Sequence, residues 1–396
     1  MAKLILPDNA LATVLSTVHT PTDCLVSIID APGKVLQEDI ICDIPVPPFD
    51  KAAVDGYACR RVDLQHKLLL NEVIAAGAVP TKPILEGTCS KVMTGAMMPP
   101  QSDMIFRVEE AGIDDQGLVQ FIGQYSKDNI CYQGEDVAKG ELVLKRGAVI
   151  SPADIGILAS SGRLSVRVAK EIRCGVISTG SELVSPDATP VGSQIRNSNG
   201  FQIIAQVIDA GAKPVNYGMV PDITEDIEQV IQQSLTENEV TILSGGVAAG
   251  DFDFIPSLLV KAGVEILFQG VAIQPGKPML FGVTKNGRVV FGLPGNPLAA
   301  FVQFELLVRT WIRKSYGSDN SLELMAYSLG FDYSRKKSER EKWELGYLTS
   351  DGLVNRVNYN GSSHHFALAV SNVLYKVPAG VSLLDKGARV DCIKIR

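Results

Sequence analysis

Residues 243–253 read "LSGGVAAGDFD" directly behind an apolar run, "VTIL" (240–243), and two other apolar runs end as barely: "VISTGSEL" (176–183) and "VVFGLPGNPLAAF" (289–301). Glycine at a strand end lets backbone N–H groups approach an anion with no Cβ in the way. Gly180, Gly245, Gly246 and Gly295 hold those places, and Ser178, Thr179, Ser181 and Ser244 add hydroxyl donors. Asn296 precedes Pro297, a favourable first helical residue, and a helix start there would attract an oxyanion. Acids stand among these loops: Glu182, Asp222, Asp251 and Asp253. Carboxylates repel a phosphate unless a cation lies between, and Mg²⁺ is commonly held by one or two carboxylates plus phosphate oxygens. Glu182, Asp222 and Asp253 are therefore the expected metal ligands, while Asp251 is equally explained as a helix cap.

These loops need a sheet to align them. "IRCGVIS", "KPVNYGMV", "EVTILS", "VEILFQ" and "RVVFGL" alternate with the amphipathic stretches "NGFQIIAQVIDAGA", "ITEDIEQVIQQSLTE", "FIPSLLVKAG" and "PLAAFVQFELLVRTWIRKS". Strands alternating with helices predict a doubly wound parallel α/β sheet covered on both faces, with ligands at the carboxyl ends of its strands. Residues 60–140 are short β-branched runs broken by Gly and Pro, a β-rich module, and short strands return after about 318 as a C-terminal β-domain. A helix is expected over 9–18, N-capped by Asp8.

Of 396 residues, 46% are hydrophobic and 20% charged, and the net charge is −7. That is an ordinary soluble globular composition, and its acidity argues against nucleic-acid or anionic-membrane partners. No run of 18 apolar residues predicts a membrane span, and the start lacks a signal-peptide pattern. Seven scattered cysteines form no C-x-x-C pair, which fits free thiols in the cytoplasm. The four histidines show no metal-ligand spacing, and the adjacent His364 and His365 are expected to be exposed.

The stretches "PVPPFDKAAVDGYA" (45–58), "VMTGAMMPPQSDMIFRVEE" (92–110), "GEDVAKGELVLKRG" (134–147), "STGSELV" (178–184), "GSQIRNSN" (192–199), "SGGVAAGDFD" (244–253), "QPGKP" (274–278) and "GLPGNPLAAF" (292–301) occur in one order along the chain. In these motifs the chain resembles the molybdopterin molybdenumtransferases, the family that includes the gephyrin E domain. The resemblance implies insertion of molybdenum from molybdate into adenylylated molybdopterin, with Mg²⁺-dependent release of AMP. It implies an elongated homodimer with composite sites, and transient contact with a molybdopterin adenylyltransferase. Its domains would be an α/β domain (1–22 and 173–317), a linking domain (23–44 and 141–172), the β-rich module (45–140) and the C-terminal β-domain (318–396). Asp55, Thr94 and Asp136 would serve on the β-module side. Glu182, Asp222, Asp253, Lys277, Pro294 and Pro297 would serve on the α/β side, with Arg340 and Ser363 from the C-terminal domain.

The chain departs from the family pattern at Ser181, Ala248, Cys131-Tyr132-Gln133, Gln274 and Ala299. Gln274 stands where a lysine is usual, so Lys277 is expected to carry most of the attraction for molybdate, and Gln274→Lys to improve it. The lost basic residues motivate a second reading, an impaired paralogue that binds the pterin nucleotide as a scaffold. A third, by fold analogy, is another nucleotide-pyrophosphate hydrolase. Retention of Asp55, Asp136, Glu182, Asp222 and Asp253 favours the enzyme.

Overall fold

The computed structural model describes residues 4–18, 21–247, 254–318 and 322–396. Asp251 and Asp253 lie outside the described residues. The chain divides into two compact units, one of Leu25–Pro32 and Glu38–Arg167, the other of Met1–Cys24, Gly33–Gln37 and Val168–Arg396.

The first of these is built on a four-stranded sheet: β1 (Gly56–Cys59), β2 (Leu69–Ile74), β3 (Thr88–Val92) and β4 (Met104–Arg107), in the order β2-β3-β1-β4. Alternate residues feed two cores, as the period-two geometry of a strand requires. Tyr57, Cys59, Met104 and Phe106 pack with Phe121 in one, while Ala58, Ile105, Val92 and Ile74 pack in the other. The Asp55-Gly56 pair, a strong hairpin signal in sequence, makes no hairpin here. Gly56 opens β1, and a Cβ on it would lie 2.2 Å from the Phe106 carbonyl oxygen. Burial pushes the Cys59 and Cys89 thiols up to about 12, and all seven cysteines are free.

The second unit begins with α1 (Pro7–Leu15). Proline occupies its first turn and Leu6 the cap position, so Asp8 lies inside the first turn rather than capping it. The central sheet has six strands: β5 (Arg173–Thr179), β6 (Lys213–Val220), β7 (Val240–Ser244), β8 (Val264–Gln269), β10 (Leu280–Thr284) and β11 (Val289–Leu293), ordered β6-β5-β7-β11-β10-β8. The short β9 (Ile273–Gln274) lies between β8 and β10 in the chain but outside this sheet. β5, β6, β7 and β11 are parallel. β10 runs antiparallel to both its neighbours. Its turn into β11 contains Asn286-Gly287, with Gly287 at φ 81°. Asn-Gly is a favoured turn pair, and the sequence reading passed over both the turn and β10.

Val176, Ile242 and Phe291 face one core; their chain neighbours Ile177, Leu243 and Val290 face the other. Helices α2 (Ser198–Asp209) and α5 (Pro297–Gln303) bury Ile203, Val207 and Leu298 in the first core; α3 (Thr224–Glu237) and α4 (Ile255–Lys261) bury Ile227, Ile231 and Leu258 in the second. Both sheet faces are thereby covered, which is why these strands read as continuous apolar runs.

The C-terminal strands β12 (Met325–Leu329), β13 (Glu341–Leu348), β14 (Leu353–Arg356), β15 (Val373–Val377) and β16 (Arg389–Lys394) pair in the order β13-β14-β12-β16-β15. β15 pairs back onto β13, so the sheet closes. β9 adds to it, parallel to β13. Among the described residues no helix is long and apolar enough to cross a membrane.

Candidate functional site

The ends of β5, β7 and β11 lie side by side, and the loops leaving them are locked together by glycine and asparagine. Gly245 has φ 98°, and a Cβ there would fall 2.5 Å from the Thr179 carbonyl oxygen; its N–H donates to Leu293 O at 3.2 Å. Gly180 has φ 151°, and its missing Cβ leaves the space that the Glu182 carboxylate occupies, 2.6 Å from where that atom would be. Any side chain at 180 displaces Glu182.

Asn199, in the first turn of α2, donates from Nδ2 to Ser244 Oγ at 2.9 Å and to Gly295 O at 2.8 Å. One amide thus bridges the β7 and β11 loops. The side chain of Asn197 caps α2 by accepting from the Gly200 N–H at 3.0 Å. In sequence both residues belong to the "GSQIRNSN" motif, and Asn199 also opens the amphipathic run that follows; asparagine at the start of such a run is a capping signal that marks Asn197. Asp222 and Ser181 are paired reciprocally, the Ser181 N–H donating to the Asp222 carboxylate and the Asp222 N–H to Ser181 Oγ, each at 3.0 Å. The serine at this departure from the family pattern therefore holds the Asp222 loop.

Asn296 is the N-cap of α5, yet its side chain does not cap. It donates instead to Ser362 Oγ at 3.0 Å and accepts from Ser363 Oγ at 3.1 Å, which brings Ser363 to the glycine loops. Arg340 donates from Nη1 to Ile273 O at 3.1 Å, beside Gln274. His364 and His365 are half-buried rather than exposed, because His365 opens a 3₁₀ turn (His365–Val370) instead of lying on a strand.

These contacts surround two adjoining cavities. One, of about 1100 Å³, is lined by Thr179, Gly180, Glu182, Asp222, Gly245, Gly246, Lys277, Pro294, Gly295, Asn296 and Arg340, with Gln274, Lys342, Glu344 and Arg356. The other, of about 1090 Å³, shares Thr179, Glu182, Gly245, Gly295 and Asn296 and adds Ser178, Asn199, Ser244, Pro297, Ser363 and His365. Lys342, Glu344 and Arg356 were missed in the sequence, since short C-terminal strands carry no motif that assigns their faces.

Glu182 and Asp222 line one cavity beside the glycine loops, and two carboxylates there are a donor set that suits a hard divalent cation. Among the described residues no three acidic, His or Cys side chains come together as a metal cluster.

In the other unit, the Thr94 N–H and Oγ both donate to Asp55 Oδ1, at 2.6 and 2.7 Å. These bonds hold the Asp55 carboxyl below its ordinary value of 3.8. Asp136 is exposed, its N–H donating to Val46 O at 3.0 Å. Of the departures beside it, Tyr132 is tied into its own loop, its N–H donating to Glu135 at 2.9 Å, while Gln133 ties that loop to a distant segment by donating to Pro48 O at 2.7 Å.

Residues 5–162 match the family model of the MoeA N-terminal region (domain I and II), and residues 175–314 that of a probable molybdopterin binding domain. The molybdopterin molybdenumtransferase of Haemophilus influenzae is 33% identical over 92% of this chain and 92% of its own. That of Bacillus subtilis is 31% identical over 94% of this chain and 89% of its own. The crystal structure of the molybdopterin biosynthesis moeA protein from Pyrococcus horikoshii OT3 superposes with a TM-score of 0.85 at 28% identity, covering 98% of this chain and 99% of that one. With such likeness running over nearly the whole length, the chain belongs to the molybdopterin molybdenumtransferase family.

Proposed function

We propose that the protein is a molybdopterin molybdenumtransferase that takes molybdenum from molybdate, inserts it into adenylylated molybdopterin and releases AMP. The observation that carries this reading is the shared cavity edge. Glycine-bared strand ends at Gly180, Gly245, Gly246 and Gly295 line one cavity together with Glu182 and Asp222 and with Lys277 and Arg340. Open backbone N–H groups bind phosphate without side-chain obstruction, and cationic side chains attract an oxyanion such as molybdate.

Glu182 and Asp222 would hold Mg²⁺, which neutralises phosphate charge when bound. Ser181 orients Asp222, Gly180 leaves room for Glu182, and Asn199 keeps the two glycine loops in register. Asp253 is assigned to the same machinery from the family resemblance. Asp55, Thr94 and Asp136 are proposed to serve the reaction from the first unit of a homodimeric partner. In an isologous dimer whose sites each draw on both chains, mixing Asp55→Ala with Asp222→Ala protein restores roughly a quarter of the sites.

We further propose a transient encounter with the molybdopterin adenylyltransferase that supplies the substrate, and a cytoplasmic location, which suits seven free thiols. Purified protein supplied with adenylylated molybdopterin, Mg²⁺ and molybdate tests the central reading: AMP and the molybdenum cofactor should both form. Failure of both at full molybdate and Mg²⁺ leaves the scaffold reading in its place.

A further inference from the structure

The cavity wall around Gln274 carries more positive charge than the sequence motif reveals. β9 runs parallel to β13 with Gln274 beside Lys342 in the register, about 4.8 Å away as adjacent strands lie. Trp343 and Leu345 turn into the core. Lys342 and Glu344 therefore share the opposite face, and both line the cavity with Gln274, Lys277 and Arg340, which immediately precedes the strand. Lys342 keeps 22% of its side chain open.

Its ammonium is ion-paired to Glu344. The Glu344 side chain is 11% exposed, and its carboxylate also accepts from the Tyr333 hydroxyl at 3.2 Å and from the Tyr359 hydroxyl. Burial, reinforced by the Glu344 charge, raises both phenols, which keeps them protonated and donating. A carboxylate offers about four acceptor sites and an ammonium three donors. Glu344 is thus largely occupied by its anchors, whereas Lys342 retains about two N–H groups for a ligand.

We infer that Lys342 supplies the positive charge that Gln274 lacks, binding the tetrahedral oxyanion substrate together with Lys277, and that Glu344 positions its ammonium. This rests on the molybdate reading of the cavity. It also revises the expectation for Gln274→Lys. A lysine there would stand one strand spacing from Lys342, where like charges repel, so the glutamine fits a site whose second ammonium comes from the neighbouring strand.

Sodium molybdate titrated calorimetrically into the full-length protein tests this without turnover. Lys342→Met keeps the aliphatic stem and removes the charge; molybdate affinity should fall about tenfold or more. Gln274→Lys alone should change affinity by less than about threefold. The double variant Gln274→Lys/Lys342→Met should regain most of the lost affinity, a rescue that a misfolded Lys342→Met protein would not show. Glu344→Gln should weaken binding less than Lys342→Met, and in turnover both should raise the half-saturating molybdate concentration by a larger factor than they lower the saturated rate. Affinity in Lys342→Met within twofold of the wild type, or absence of rescue in the double variant, overturns the assignment, as does a wild type that binds no molybdate. A wild type that binds molybdate in this way but releases no AMP refutes the proposed reaction and leaves the Lys342 assignment standing.

Discussion

Asn199→Ala should loosen both glycine loops at once, because a single amide nitrogen holds Ser244 Oγ and Gly295 O at 2.9 and 2.8 Å. Asn199 is 9% exposed, so water does not readily replace the lost donor. Each such bond contributes about 1 kcal/mol net, giving about 2 kcal/mol for the pair. Alanine is the better helix former in the first turn of α2 and offsets roughly 0.5 kcal/mol. The remaining 1.5 kcal/mol or so corresponds to local opening about tenfold more frequent. Amide hydrogen exchange read by mass spectrometry on peptides spanning 240–247 and 290–296 reports this directly. The Gly245 N–H bonded to Leu293 O, at 3.2 Å, is the natural reporter. Asn199→Asp keeps the shape and loses the donors, so it should accelerate exchange at least as much. Acceleration below about threefold in Asn199→Ala, or full protection in Asn199→Asp, would show that packing rather than the amide holds the loops together.

Thr94→Val removes one of the two donors to Asp55 and should raise the carboxyl pKa toward 3.8. Because the folded value lies below the unfolded one, the stabilisation is complete above about pH 4 and is lost as pH falls through the folded value; a side-chain carboxyl titration by NMR with an unmoved midpoint would contradict this. Gly56→Ala places a Cβ 2.2 Å from a strand carbonyl and should destabilise its unit by about 1–3 kcal/mol, seen as a lower urea midpoint; an unchanged midpoint would mean that β4 gives way freely. Asp222→Asn should raise the Mg²⁺ concentration for half-maximal AMP release by about tenfold or more, and an unaltered Mg²⁺ requirement would remove Asp222 from the metal site.

Much of this protein is readable from local sequence. Apolar runs such as "VTILS", alternating with amphipathic stretches, read as strands buried on both faces, and the glycines that end them pointed to the candidate site, because both follow from burial and backbone sterics within a few residues. Pro297 and the amphipathic helices were visible for the same reason. Reading failed where partners are distant in the chain. The Asn286-Gly287 turn reverses β10 inside an otherwise parallel run, and Asp55-Gly56 resembles a turn but answers to the close passage of β4. The resemblance to the family pattern marked Gln274 as standing where a lysine is usual. Only the pairing of β9 with a strand about seventy residues further on placed Lys342 beside it, since strand register is set by long-range hydrogen bonding and by which face the core claims.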